Sequence, residues 1–122
     1  MKQKYIKGDV IMYDNKIHTI MDTLGVNNYE LSYIEHPVHQ LELSGVLLTP
    51  EILEKNGWKK SKINDCAYFY YKDELFLTYT SKDGKFWFDD FDYSSSICVD
   101  LPYVHSLQHL LFGLGINSEM EV

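Results

Sequence analysis

Between Ala67 and Asp100 the chain runs through strand-like segments, Ala67 to Lys72, Glu74 to Thr80, Lys85 to Phe91 and Ser96 to Asp100, joined by very short connections. Asp73, Ser81-Lys82-Asp83-Gly84 and the stretch from Asp92 to Ser95 are turn chemistry. A parallel crossover needs a dozen residues or more, so these segments can pair only as an antiparallel sheet, read here as four-stranded. Alternation puts Ala67, Phe69 and Tyr71 on one face and Tyr68 and Tyr70 on the other, and sets Phe86 and Phe88 against Trp87. Both faces carry aromatics. One can build a core while the other is covered by a helix, by the N-terminal part or by a partner.

Helix signals flank this region. Thr49 fits an N-cap, Pro50 the first helical position, and Glu51 and Glu54 bring negative charge toward the positive end of the dipole. Asn56-Gly57 closes the helix, and a left-handed Gly57 places Trp58 where it can fold back on Leu53, predicting a helix at about Pro50 to Asn56. A second helix is predicted from near Pro102, with Asp100 as cap, to Gly113 or Gly115. Val104, Leu107, Leu110, Leu111 and Leu114 form its apolar stripe, with His105, Ser106 and His109 away from the stripe's centre. This helix is expected to pack on the four-stranded sheet.

The first 48 residues read as a β meander: Asp9 to Tyr13, an Asp14-Asn15 turn, Lys16 to Asp22, the loop Gly25 to Asn28, Tyr29 to Glu35, and Leu41 to Leu48. Its opening, Lys7-Gly8-Asp9-Val10 followed by strand, turn and strand, looks like the start of a small SH3-like or KOW-like barrel. The fold class is therefore α+β. Residues 1–48 form a β-rich, SH3-like subdomain, and residues 49–122 an α-β-β-β-β-α subdomain.

Two segments carry a family resemblance. Leu48 to Trp58 is similar to the motif Leu-Thr-Glu-Glu-x-Leu-x-Lys-x-Gly-Phe. Tyr103 to Gly115 is similar to Tyr-Val-His-Gln-Leu-Gln-Asn-Leu-Tyr-Phe-Ala-Leu-Thr-Gly. Together they resemble a family of small uncharacterised proteins of gut anaerobes, their mobile elements and their phages. The resemblance implies a phage or mobile-element origin and lends no activity, cofactor or catalytic residue. The chain departs from the second motif at His109, where the family has Asn, and at Gly113, where it has Ala.

Charge narrows the partners. Eleven basic residues, all Lys, face 18 acidic ones, for a formal charge of -7. Arg is the preferred residue for bidentate phosphate and guanine contacts, and a net negative chain repels a polyanion, so direct nucleic-acid binding is disfavoured. A basic protein partner fits better. With 45% hydrophobic residues the 122-residue chain can bury a core, and it shows no run long enough to span a membrane and no secretory leader. The expectation is a cytoplasmic protein, in the host cytoplasm if phage-encoded. Cys66 and Cys98 are too far apart for a metal knuckle and are expected as buried free thiols.

Each tempting chemical site has a plainer reading. His105 and His109 are one helical turn apart, a spacing that can serve Zn²⁺, and His36 and His39 make a second pair. No HExxH glutamate accompanies them and no spacing rule joins the pairs, so separate polar histidines are favoured. Asp89, Asp90 and Asp92 lack the Gly and distal Glu of a calcium loop. Ser94 to Ser96 lack a nucleophile elbow, and Gly113-Leu114-Gly115 ends a helix instead of opening a phosphate cradle. No catalytic, metal or cofactor residue is assigned. The candidate interaction surface is Tyr68, Tyr70, Trp87, Asp89, Asp90, Asp92 and Tyr93, because Tyr and Trp combine large buried area with a polar handle. The leading expectation is a non-enzymatic protein that binds another protein, or a second copy of itself, through this acidic and aromatic surface. The alternatives are a nucleic-acid-associated module built on the SH3-like part and, last, a histidine-based metal enzyme.

Overall fold

The computed structural model describes residues 3–73, 75–89 and 98–122. They form an α+β chain of two five-stranded antiparallel sheets and two α-helices. Two compact units result: Met1–Leu47 with Tyr103–Met120, and Leu48–Pro102 with Glu121–Val122. No helix among the described residues is long and apolar enough to cross a membrane.

The first unit holds β1 (Val10–Tyr13), β2 (Lys16–Leu24), β3 (Asn28–Leu31), β4 (Val38–His39) and β5 (Leu43–Gly45), in the order β4-β3-β2-β1-β5. Asp14 and Asn15 join β1 to β2 with φ of 50° and 61°, the left-handed conformation a two-residue hairpin turn demands and these residue types tolerate. A register shift between Ile20 and Asp22 bends β2 where its pairing passes to β3. The run from Leu41 to Leu48 is not one strand. His39 caps a 3-10 turn, Gln40–Glu42, by accepting from Leu41 N at 3.1 Å, while the Glu42 carboxylate accepts from His39 N at 3.2 Å. Tyr5, Ile11, Ile20, Tyr29, Leu31, Val38 and Leu43 make the core.

Helix α2 (Val104–Gly113) belongs to this unit, whereas its apolar stripe had suggested the aromatic sheet. A leucine stripe carries no address. The buried Gln108 amide supplies one: Oε1 accepts from Val10 N at 2.8 Å, and Nε2 donates to the carbonyls of Gly8 at 2.9 Å and Ser118 at 3.0 Å. The helix begins at Tyr103 without a side-chain cap, and Asp100 lies in a strand instead of capping it. It ends in a Schellman motif, with Ile116 N donating to Leu111 O and Gly115, at φ 72°, donating to Phe112 O.

At the start of α2 the backbone of β5 comes very close. A Cβ on Gly45 would stand 2.6 Å from Tyr103 Cδ1 and 2.9 Å from His105 Cε1. These atoms are near the root of one ring and within a buried other, so they cannot simply swing away. Gly45→Ala is expected to destabilise the protein by about 1–3 kcal/mol in chemical denaturation, the usual cost of overpacking. An unchanged midpoint would show that the ring of Tyr103 yields freely.

The second unit opens with α1 (Pro50–Lys55), as its signals predict. Thr49 Oγ1 accepts from Ile52 N at 3.3 Å, and Trp58 N donates to Leu53 O beyond Gly57 at φ 87°. Its sheet is β10-β9-β8-β7-β6, built from β6 (Lys59–Asn64), β7 (Ala67–Lys72), β8 (Leu75–Thr80), β9 (Lys85–Asp89) and β10 (Cys98–Asp100). The sheet is thus five-stranded where four strands were expected. The addition is β6, whose Lys-rich sequence hides its pairing with β7. Cys66 is exposed in the turn after β6, correcting its expected burial. The C-terminal tail is tied down, since Glu121 N donates to Asn56 Oδ1 at 2.8 Å and Asn56 Nδ2 returns a bond to Glu121 O at 2.7 Å.

Candidate functional site

Register decides which aromatics share a surface in the second sheet. Ser61, Phe69, Thr78, Trp87 and Asp100 stand in one cross-strand row spanning all five strands, and Lys59, Tyr71 and Phe76 form a row beside it. Directly opposed residues point to the same face, and residues two apart along a strand do likewise. Phe69, Tyr71, Phe76 and Trp87 therefore occupy one face. Phe76 is 45% exposed and the other three are half-buried. Their rings touch: Phe69 and Phe76 meet edge-on at 6.3 Å, and Tyr71 lies 6.0 Å from Phe76. The Lys85 ammonium sits 6.0 Å from the Trp87 ring centroid.

The opposite face carries the unit's core. Tyr70, Leu77 and Phe86 are fully buried there, and Tyr70, Tyr79 and Phe86 contact one another at 4.6 to 6.0 Å. Tyr68 shares this face, half-buried beneath the Lys60 ammonium at 4.2 Å. The expected surface is corrected accordingly: Tyr70 is buried, and Tyr68 and Tyr70 point away from Trp87. Asp89 ends β9. Asp90, Asp92 and Tyr93 lie outside the described residues, as do Ser94 to Ser96. Phe69, Tyr71 and Phe76, left off the expected surface, are the aromatics that share a face with Trp87.

Burial, with help from the Glu54 and Glu51 carboxylates, pushes the Tyr70 hydroxyl up to about 12, and among the described residues its oxygen has no hydrogen-bond partner. An unsatisfied buried hydroxyl costs free energy that a ring hydrogen does not. Tyr70→Phe is therefore expected to be neutral or stabilising by up to about 1 kcal/mol, measured by urea denaturation. A loss above that would reveal a partner for the hydroxyl.

The first unit gathers a second constellation. Asp9, almost wholly buried, accepts on Oδ2 from Ile6 N at 2.9 Å and from His109 Nε2 at 2.6 Å. The bond from Asp9 holds His109 above its ordinary pKa, against the opposing effect of burial. One turn earlier, His105 is buried, correcting its expected place off the apolar stripe. Burial pushes it down to about 4, opposed by the Asp9 charge. Its ring stacks on Tyr103 at 5.3 Å and meets Tyr5 and His109 edge-on, while its Nδ1 has no partner among the described residues. Hydrogen-bonded His and Asp can move protons. Among the described residues, however, no Ser, Thr or Cys hydrogen-bonds the pair, and no three His, Cys, Asp or Glu side chains are grouped to hold a metal. His39 serves as a turn cap and His36 turns to the Pro37 carbonyl at 3.1 Å, so the two histidine pairs do different work. The Asp9–His109 bond acts as a tether between α2 and the turn that precedes β1.

No family model, no curated protein and no solved structure matches the chain.

Proposed function

We propose that the chain is a small, acidic, non-enzymatic interaction protein that binds a protein partner through the outer face of its second sheet. The observation that carries the reading is the clustering of Phe69, Tyr71, Phe76 and Trp87 on one accessible face while the sheet's core lies on the other. Each 100 Å² of such ring surface that a partner covers contributes about 2.5 kcal/mol before the cost of association. The resemblance of Leu48 to Trp58 and Tyr103 to Gly115 to proteins of gut anaerobes and their phages suits a cytoplasmic adaptor of mobile-element origin. The test compares native protein with Phe76→Asp and Trp87→Ala in affinity capture from the host, with sedimentation over a concentration series to detect self-association. Both variants should lose the partner, or the dimer, that the native chain recovers. Equal recovery by folded variants would dispose of the aromatic face as the contact.

A second reading has its own support. The order β4-β3-β2-β1-β5, with a 3-10 turn between β4 and β5, suits an SH3-like unit of the kind used in nucleic-acid-associated proteins. Retention of DNA or RNA at physiological salt in a gel shift would favour it over protein docking.

A further inference from the structure

The β6 strand ends its sheet, and all six of its residues are exposed. Among the described residues it pairs with β7 alone, so its outer row of backbone N–H and C=O groups is open. Native proteins rarely leave such a row undefended, and lysines are a usual guard against pairing with another copy. Here Lys60 and Lys62 share the face of Tyr68 and Tyr70 while Lys59 stands on the other, so a second β6 laid against it would set ammonium groups against each other. The same lysines invert in meaning for a strand of opposite charge.

We propose that β6 is a docking edge for an extended acidic peptide, which joins the second sheet as a sixth strand with its carboxylates beside Lys60 and Lys62. Backbone hydrogen bonds supply affinity in this mode and the alternating side chains supply selection. The lysines are available: the Lys62–Asp65 pair at 3.1 Å is solvent-exposed, and pairs of that kind hold weakly. At the Lys59 end, Gly57, Lys59, Tyr71, Lys72 and Asp73 line an open cavity of about 380 Å³ on the β7 side of the strand. Lys72 is held there by its bond to the Asn56 carbonyl at 2.9 Å. The chain's net charge of -7 does not forbid the approach, because at physiological salt charges farther than about 8 Å are largely screened and the local lysines dominate. A phosphate backbone would also meet these lysines, but it cannot use the alternating donors and acceptors of a strand edge.

The edge borders the aromatic face at Lys59, which stands opposite Tyr71, while Lys60 and Lys62 stand on the other face, so Trp87→Ala distinguishes the two surfaces. A fluorescein-labelled peptide of about eight residues, alternating glutamate with valine or threonine, is titrated with the full chain and followed by polarisation. Saturable binding is expected, weakened about tenfold or more by Lys59→Gln/Lys60→Gln/Lys62→Gln and by N-methylation of alternate peptide amides, and unchanged by Trp87→Ala. A lysine-for-glutamate peptide should not bind. Absence of binding at millimolar peptide, equal binding of the N-methylated form, or displacement of the peptide only by single-stranded oligonucleotide would each overturn the proposal. Loss of binding in Trp87→Ala but not in the lysine variant would move the peptide to the aromatic face.

Discussion

Gln108→Ala is expected to lower the unfolding free energy by about 3 kcal/mol, among the largest losses any polar side chain here can produce. The amide is 2% exposed and satisfies three backbone groups from two distant parts of the first unit. The carbonyls of Gly8 and Ser118 can recruit water. The Val10 amide, in a residue 5% exposed, cannot do so easily, and an orphaned buried donor costs about 1–3 kcal/mol by itself. Gln108→Met keeps most of the volume and should lose nearly as much, which separates hydrogen bonding from packing. Urea midpoints decide it: a loss below about 1 kcal/mol in both variants would mean that α2 is held by its apolar contacts and the Asp9–His109 tether instead.

Acid is expected to weaken the fold by about 3 kcal/mol between pH 6.5 and 4 through His105 alone. The unfolded chain protonates this imidazole near pH 6.5, while burial keeps the folded ring neutral until about pH 4. Across that window the unfolded state binds the extra proton, so stability falls as pH falls. His109 works in the opposite sense. Its folded pKa is raised by the bond to Asp9, so its contribution is fully present below pH 6.5 and is lost as pH rises through the raised value. Asp9, Lys4 and the rings of Tyr5 and Tyr103 are the groups that face the pair. Unfolding free energies of native protein and His105→Phe, compared from pH 4.5 to 7.5, isolate the effect. The variant should show a flatter acid limb, and parallel limbs would exonerate His105.

Local chemistry was legible in the sequence wherever one residue type has one use. Thr49-Pro50 and Asn56-Gly57-Trp58 bound α1 as their chemistry requires, and Asp14-Asn15 form the hairpin turn. Placement was less legible. The leucines of α2 fit either sheet, and polar letters, the Gln108 amide and His109 with its bond to Asp9, select the first. The aromatic face shows the same limit in reverse, because alternation within each strand was read while the pairing between strands was not. Yet the pairing was accessible. The Asp73 turn sets Tyr70 opposite Leu77, and the turn from Ser81 to Gly84 sets Thr78 opposite Trp87, so turn lengths alone place Trp87 with Phe69. Burial of His105 had no such signal, since nothing in the chain shows that Gly45 leaves room for Tyr103 and His105 to close over it.

The division of the chain has a temporal side. The first unit is split: its β strands come from Met1–Leu47 and its helix from Tyr103–Met120, with Leu48–Pro102 of the second unit between them. Leu47 bridges to Tyr103, and Val104 N donates to Val46 O at 2.8 Å, so the two ends of the interruption are clasped together. During synthesis the β meander must therefore emerge and wait, with the Val10 amide unmet, until Gln108 leaves the ribosome. The inserted strands and α1 are in hand before then, but the second unit closes only when Glu121 reaches Asn56, so both units wait on the C-terminal segment.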